Sequence, residues 1–154
     1  SGAAMANAYQ SVIQTVDLAD EAQTLSLGAR LASALRPGDV VRLTGDLGAG
    51  KTTLARGLIQ SRLGQIDVPS PTYTLVQTYD WGAGELWHCD LYRLEQPDDA
   101  YELGLIDAMG EAILLLEWPD RLGDLCPDDA LGVHIAFQGE GRLATLTGWE
   151  GRHG

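Results

Sequence analysis

The string Gly45-Asp46-Leu47-Gly48-Ala49-Gly50-Lys51-Thr52 constrains the fold of this chain more than any other segment. Gly45, Gly48 and Gly50 carry no side chains that could block a backbone wrap, so successive N–H groups can turn inward around an anion. Such a loop works when it is suspended between a buried strand and a helix whose N-terminus adds the positive end of its dipole. Both flanks are present. Val40 to Thr44 reads as a short buried strand, and Thr52 to Leu63 as a helix with Leu54, Leu58 and Ile59 on one face. Lys51 is the only lysine among 154 residues, and the nine other strong bases are all arginine. A genome that writes arginine by default explains why lysine is rare, but not where the survivor lies. A compact ammonium can sit between two phosphates as a point charge, whereas a planar guanidinium is larger and geometrically committed.

The remaining pattern surrounds this unit with alternating elements. Ser11 to Val16 alternates as a strand, and Asp17 is placed to cap a helix from about Leu18 to Leu35, with Ala22, Leu25, Ala29, Ala32 and Leu35 at helical spacing. Arg36-Pro37-Gly38-Asp39 breaks it. Gly64 to Pro71 reads as a loop. Tyr73 to Trp81 and Glu85 to Leu91 read as an antiparallel hairpin across Gly82-Ala83-Gly84. Pro97 to Gly110 predicts one or two short helices, and Ala112 to Leu116 a buried strand. Leu131 to Gln138 predicts another, with Leu143 to Trp149 as its hairpin partner across Gly139-Glu140-Gly141-Arg142. The expectation is an α/β fold: a single P-loop NTPase-like domain with a mixed, mostly parallel sheet, antiparallel hairpins and flanking helices. That domain is expected over 10–150, with 1–9 as a flexible N-terminus and 151–154 as a tail. Ser1-Gly2-Ala3-Ala4 ahead of Met5 is set aside as a candidate cloning remnant.

Charge narrows the partners. The formal net charge is −12, and eleven of the 22 acids lie between 95 and 129, opposed only by Arg121. A nucleic-acid binder needs a basic stripe to displace counterions, and none is visible. The acidic stretch suits either a basic protein partner or a solvated, solubilising face. Cys89 and Cys126 have no C-x-x-C spacing and are too few for a disulfide framework, so a reducing cytoplasm is the expected compartment. The longest strongly apolar run, Ala112 to Leu116, is far too short for a membrane span.

Within the loop, Lys51 would reach the β- and γ-phosphates of a nucleotide, and Thr52 would give its hydroxyl to Mg²⁺. A carboxylate at the end of a neighbouring buried strand is then needed beside the metal. Glu117 follows Ile113 to Leu116, and Asp90 ends Leu86-Trp87-His88-Cys89. If both face the nucleotide, one holds the metal and the other orients water or couples to it. Ser70-Pro71-Thr72-Tyr73-Thr74 occupies the place of a γ-phosphate-sensing switch, with Ser70, Thr72 or Thr74 making hydroxyl contact; an ordinary Pro turn is the competing reading. Trp118-Pro119 either packs over the site or ends the strand. His88 sits in a hydrophobic strand and reads as a satisfied core histidine ahead of the competing catalytic reading. No N-K-x-D-like guanine signature is present, which favours ATP.

Taken in order, Gly45-Asp46-Leu47-Gly48-Ala49-Gly50-Lys51-Thr52-Thr53, Ser70-Pro71-Thr72-Tyr73-Thr74-Leu75, His88-Cys89-Asp90-Leu91-Tyr92-Arg93-Leu94, Glu102-Leu103-Gly104 and Glu117-Trp118-Pro119 closely resemble the bacterial TsaE (YjeE) ATPases, from about Asp17 to Arg142. The resemblance implies an ATPase needed for threonylcarbamoyladenosine formation at position 37 of tRNAs that read ANN codons. It implies binding of the partners TsaB and TsaD, whose complex turns over with the support of ATP hydrolysis that is weak in the isolated chain, with tRNA met only through that complex. It also implies Thr52 and Glu117 as Mg²⁺ ligands, Lys51 as the phosphate lysine, and Asp90 as an activity-critical aspartate. Ser70 to Thr74 would be the switch, including Tyr73. ATP contacts would come from Gly45 to Thr53, joined by Glu21 and Arg142. Cys89 stands where an aromatic residue is common. Two other readings compete with the ATPase: a small-molecule P-loop kinase, disfavoured because only Arg121, Arg142 and Arg152 follow Glu117, and a non-hydrolytic nucleotide-dependent binding module.

Overall fold

The computed structural model describes residues 12–152; the expected N-terminal segment 1–9, and residues 153 and 154 of the expected tail, lie outside them. Seven strands form one sheet: β1 (Val12–Leu18), β2 (Val40–Thr44), β3 (Val76–Asp80), β4 (Glu85–Asp90), β5 (Ile113–Glu117), β6 (Leu131–Gln138) and β7 (Gly141–Thr147). Their spatial order is β1-β7-β6-β2-β5-β4-β3. The four central strands β6, β2, β5 and β4 are mutually parallel, and each edge is finished by antiparallel pairing, β3 on β4 and the β6-β7-β1 meander. The α/β expectation holds, with the parallel part confined to the middle.

Central strands are apolar on both faces because both faces are covered. All five residues of β5 are buried: Ile113 and Leu115 point to one core, Leu114 and Leu116 to the other. The first core lies beneath helices α1 (Glu21–Ala32) and α2 (Lys51–Leu63). The second lies beneath two single-turn helices, α3 (Asp99–Glu102) and α4 (Leu105–Ala108), and the 3₁₀ segment Pro119–Leu125. The two short helices match the reading of Pro97 to Gly110.

The first helix departs from its expected start and face. β1 continues through Asp17 to Leu18, so Asp17 is a strand residue and the cap is Asp20. Asp20 Oδ1 accepts the Gln23 N–H at 3.0 Å, and Gln23 Oε1 reaches back to the Ala19 N–H at 2.8 Å. This is a close relative of the reciprocal capping box. The buried stripe is Thr24, Leu27, Gly28, Leu31 and Ala32, whereas Ala22 is exposed and Leu25 and Ala29 are only half-buried. Apolar spacing does not count glycine, and the helices meet where glycines stand. A Cβ on Gly28 would stand 2.2 Å from the Leu54 carbonyl oxygen, and one on Gly57 would stand 2.3 Å from that of Leu25. The two glycines let α1 and α2 approach backbone to backbone. At the other end, β7 begins at Gly141, so the β6–β7 turn is tighter than Gly139 to Arg142. Arg152 is anchored by an ion pair with Asp39.

Candidate active site

β2 delivers the glycine loop, and two parallel neighbours end beside it. Leu43 pairs with Glu117 across β2 and β5, and Asp90 pairs with Glu117 across β4 and β5. Three carboxyl ends therefore bring Lys51, Asp90 and Glu117 to one rim, where open α/β sheets bind ligands. Gly50, immediately before α2, has φ of 115°, a conformation in which an L side chain is strained. That turn starts α2 with its first N–H groups facing the loop.

Lys51 is 5% exposed. Its Nζ donates to the carbonyl oxygens of Gly45 and Asp46, and the Trp118 ring covers it with the centroid 4.2 Å away. Burial pushes the Lys51 ammonium below its usual pKa, an effect opposed by the fields of Glu117, Asp90 and Asp46. The Thr52 hydroxyl donates to the Glu117 carboxylate, 3.2 Å from Oε1 and 3.1 Å from Oε2. Asp90 accepts the Tyr92 N–H at 3.0 Å on Oδ1 and the Thr72 hydroxyl at 3.1 Å on Oδ2. The Ser70 and Thr72 hydroxyls are 2.8 Å apart.

These groups line a cavity of about 280 Å³ that includes Leu47, Gly48, Gly50, Lys51, Thr52, Thr53, Ser70, Thr72, Asp90, Glu117 and Trp118. A second cavity of about 250 Å³ opens on the other side of the loop. Glu21, Ala49 and Arg142 line it together with Gly48, Gly50 and Thr53.

Not every candidate enters these cavities. Tyr73 is 79% exposed and lies against the Arg93 guanidinium, while Thr74 accepts from the Gln77 side chain. Of the switch residues, the structure brings Ser70 and Thr72 to the cavity and leaves Tyr73 and Thr74 outside it. Gly45 and Asp46 contribute carbonyls to Lys51 instead of lining the space. Arg142 braces the loop, donating from Nε to the Ala49 carbonyl at 3.1 Å and from an Nη to that of Gly48 at 3.4 Å. Trp118 takes φ of 59°, rare for a bulky residue, and its ring meets that of Tyr92 at 5.0 Å.

One site residue escaped the sequence reading, and another was assigned by it to the core. Thr24 is buried and lines the second cavity from α1. His88 is wholly buried, as a core residue should be, but it is not satisfied in the core: Nε2 lies 2.6 Å from Glu117 Oε2, and Nδ1 has no partner. A usable signal existed. His88 stands two residues before Asp90 on one strand, and that spacing puts both on the same face of the sheet.

Fold and site together define the class, a single α/β domain whose mixed sheet is parallel in the middle and carries a glycine loop at the carboxyl end of a central parallel strand. The model of the family described as threonylcarbamoyl adenosine biosynthesis protein TsaE matches residues 18–144, and the chain belongs to the TsaE family. It is similar to the tRNA threonylcarbamoyladenosine biosynthesis protein TsaE of Rickettsia bellii, 37% identical over 136 residues, covering 87% of this chain and 94% of the relative. The Haemophilus influenzae TsaE is also 37% identical, with 82% and 84% covered. Among solved structures, Bacillus subtilis YdiB superposes with a TM-score of 0.70 at 27% identity, covering 87% of this chain and 84% of that one. The family works in tRNA threonylcarbamoyladenosine biosynthesis, as the sequence resemblance implied. No helix among the described residues is long and apolar enough to cross a membrane.

Proposed function

We propose that this chain binds ATP with Mg²⁺ and hydrolyses it, and that hydrolysis supports turnover of a TsaB–TsaD complex forming threonylcarbamoyladenosine at position 37 of ANN-decoding tRNAs. The observation that carries the reading is the convergence of Lys51, Thr52, Asp90 and Glu117 on one cavity at the ends of three adjacent parallel strands. The donor set fits Mg²⁺, a hard cation that takes oxygen ligands and is commonly held by one or two carboxylates plus phosphates. Thr52 Oγ1 and the Glu117 carboxylate, already in contact, would hold the ion. Bound there, Mg²⁺ would neutralise charge on the β- and γ-phosphate oxygens.

This chain's own groups supply the rest. The Lys51 ammonium, now on two carbonyls, would exchange these neutral acceptors for phosphate oxygens, a stronger charge-assisted contact. Loop N–H groups and the α2 N-terminus would wrap the phosphates. Asp90 would orient the attacking water: each of its oxygens accepts one recorded hydrogen bond, which leaves acceptor capacity for a water O–H. Ser70 and Thr72, bonded to each other and to Asp90, are the hydroxyls placed to register a γ-phosphate. Trp118 over Lys51 excludes water from the lysine side. Glu21, Thr24 and Arg142 would border the base and ribose.

Hydrolysis is favoured over transfer to a small acceptor. Among the described residues lining the phosphate-side cavity there is no arginine, and Arg93 and Arg121 lie against the Tyr73 and Tyr92 rings. The strongly acidic balance fits contact with tRNA through the partner proteins. Two free thiols and a tRNA-directed role fit work in a reducing cytoplasm. The test is ATP hydrolysis by the chain alone and with purified TsaB and TsaD. Slow turnover alone, acceleration by both partners, and loss in Asp90→Ala and Glu117→Ala are expected. Full repeated modification with a non-hydrolysable ATP analogue would favour the binding-module reading instead. Label passing from γ-labelled ATP to a metabolite would favour the kinase.

A further inference from the structure

His88 has no assigned part in the chemistry above, although it touches the residue that reading makes a metal ligand. β4 carries His88 and Asp90 on the face beneath α2, and β5 places Glu117 beside them, with His88 in register with Leu115 and Asp90 with Glu117. Both side chains of the pair are almost inaccessible to solvent, at 0% for His88 and 4% for Glu117. Their 2.6 Å contact involves Nε2 and Oε2, and the other ring nitrogen, Nδ1, is buried without a partner. That asymmetry selects a tautomer. A proton on Nδ1 would leave a buried N–H donor unmade, which is costly, whereas an unprotonated Nδ1 leaves only an unused lone pair. The Nε2–H form therefore fits, donating to the carboxylate.

We propose that His88 is a positioning residue for Glu117: its Nε2–H holds Oε2 and so fixes the carboxylate in the orientation in which both of its oxygens meet the Thr52 hydroxyl at the phosphate cavity. Glu117 then has a fixed orientation before any ion arrives. The carboxylate is held at Oε2 by His88 and across both oxygens by the Thr52 hydroxyl, while Lys51 makes its hydrogen bonds to loop carbonyls. Without the histidine, Glu117, whose charge already acts on the Lys51 ammonium, could swing toward it. That would remove a metal ligand and a phosphate ligand together. Groups behind a metal ligand commonly set its affinity by 10–100-fold.

The inference rests on the Mg²⁺-nucleotide reading, and the experiment separates their failures. ADP binding is followed by calorimetry with EDTA and across a Mg²⁺ titration, with unfolding midpoints measured for each variant. His88→Leu should raise the Mg²⁺ concentration giving half-maximal enhancement of ADP binding about tenfold or more. His88→Gln, whose amide can donate from nearly the same place as Nε2, should stay within about threefold of the parent, while the shorter His88→Asn should resemble His88→Leu. In a Glu117→Gln background, His88→Leu should add no further change in Mg²⁺ dependence. The assignment is overturned if His88→Leu leaves Mg²⁺ dependence unchanged, if Gln and Asn behave alike, or if the effect persists in full without the Glu117 carboxylate. Should His88→Leu not fold, the Gln and Asn pair decides. A parent protein that binds ADP with no Mg²⁺ dependence would overturn the metal reading and this inference together.

Discussion

Lys51 is confined as well as charged. Carbonyls of Gly45 and Asp46 accept from its ammonium and the Trp118 ring lies against it, contacts that suit a compact ammonium better than a planar fork. Lys51→Arg should therefore weaken ADP binding by at least about tenfold, equivalent to ~1.4 kcal/mol, while unfolding midpoints change little. Calorimetric titration checks this; near-parental affinity would show that any cation serves. Trp118 offers a second residue-scale test. Its left-handed backbone costs an L residue on the order of 1–2 kcal/mol, so Trp118→Gly should be more stable than Trp118→Ala by about 1 kcal/mol despite the loss of the same ring contacts. Urea unfolding of the two variants measures the difference. At this scale the loop was legible, because backbone wrapping and a terminal lysine are written contiguously. His88 was not, because its partner is 29 residues away on another strand and only the β4–β5 register brings them together.

Among elements, the contact between α1 and α2 decides where α2 points its N-terminus. Gly57→Ala sets two effects against each other. Helix propensity favours alanine by up to about 1 kcal/mol. The new Cβ, however, would stand 2.3 Å from the Leu25 carbonyl oxygen and 2.7 Å from its Cα, all backbone, so the helices must separate. Overpacking of this kind costs about 1–3 kcal/mol or more, and the net expectation is destabilisation in chemical denaturation together with weaker nucleotide binding. Asp20→Ala should cost about 1 kcal/mol by removing the α1 cap, measured in the same assay. Both predictions concern features that hydrophobic spacing concealed. A pattern of apolar residues marks a helix, but a glycine at closest approach and a cap three residues later than Asp17 settle its face and start. The strands were read more closely: β2 and β6 match their expected bounds, because runs of β-branched and aliphatic residues between breakers leave little choice of ends.

For the whole molecule, charge and reactivity are distributed unevenly. The acidic stretch from 95 to 129 covers the β4–β5 connection, the end of β5 and the 3₁₀ segment, so negative charge lies on the face formed by α3 and α4. The isolated protein should not retain tRNA in a mobility-shift assay at physiological salt; a salt-sensitive shift would contradict the indirect role assigned to tRNA. Both thiols are pushed up by burial. At Cys89 the Glu117 charge adds to the effect, whereas at Cys126 Arg42 opposes it. Cys126, half-buried, should react with a thiol reagent first, and Cys89 only as the protein unfolds.

By itself the sequence determined the local units: a glycine loop between a buried strand and a helix, two acids at strand ends, and a strongly acidic charge balance. Each depends on neighbours within a few residues or on summed charge, and both can be read without knowing the fold. Only the tertiary structure decided that Asp90 and Glu117 stand side by side, that Ser70 and Thr72 but not Tyr73 reach the cavity, and that His88 backs Glu117. Strand order and register set those distances, and they come from burying two apolar faces of one sheet at once, a choice made by the whole chain.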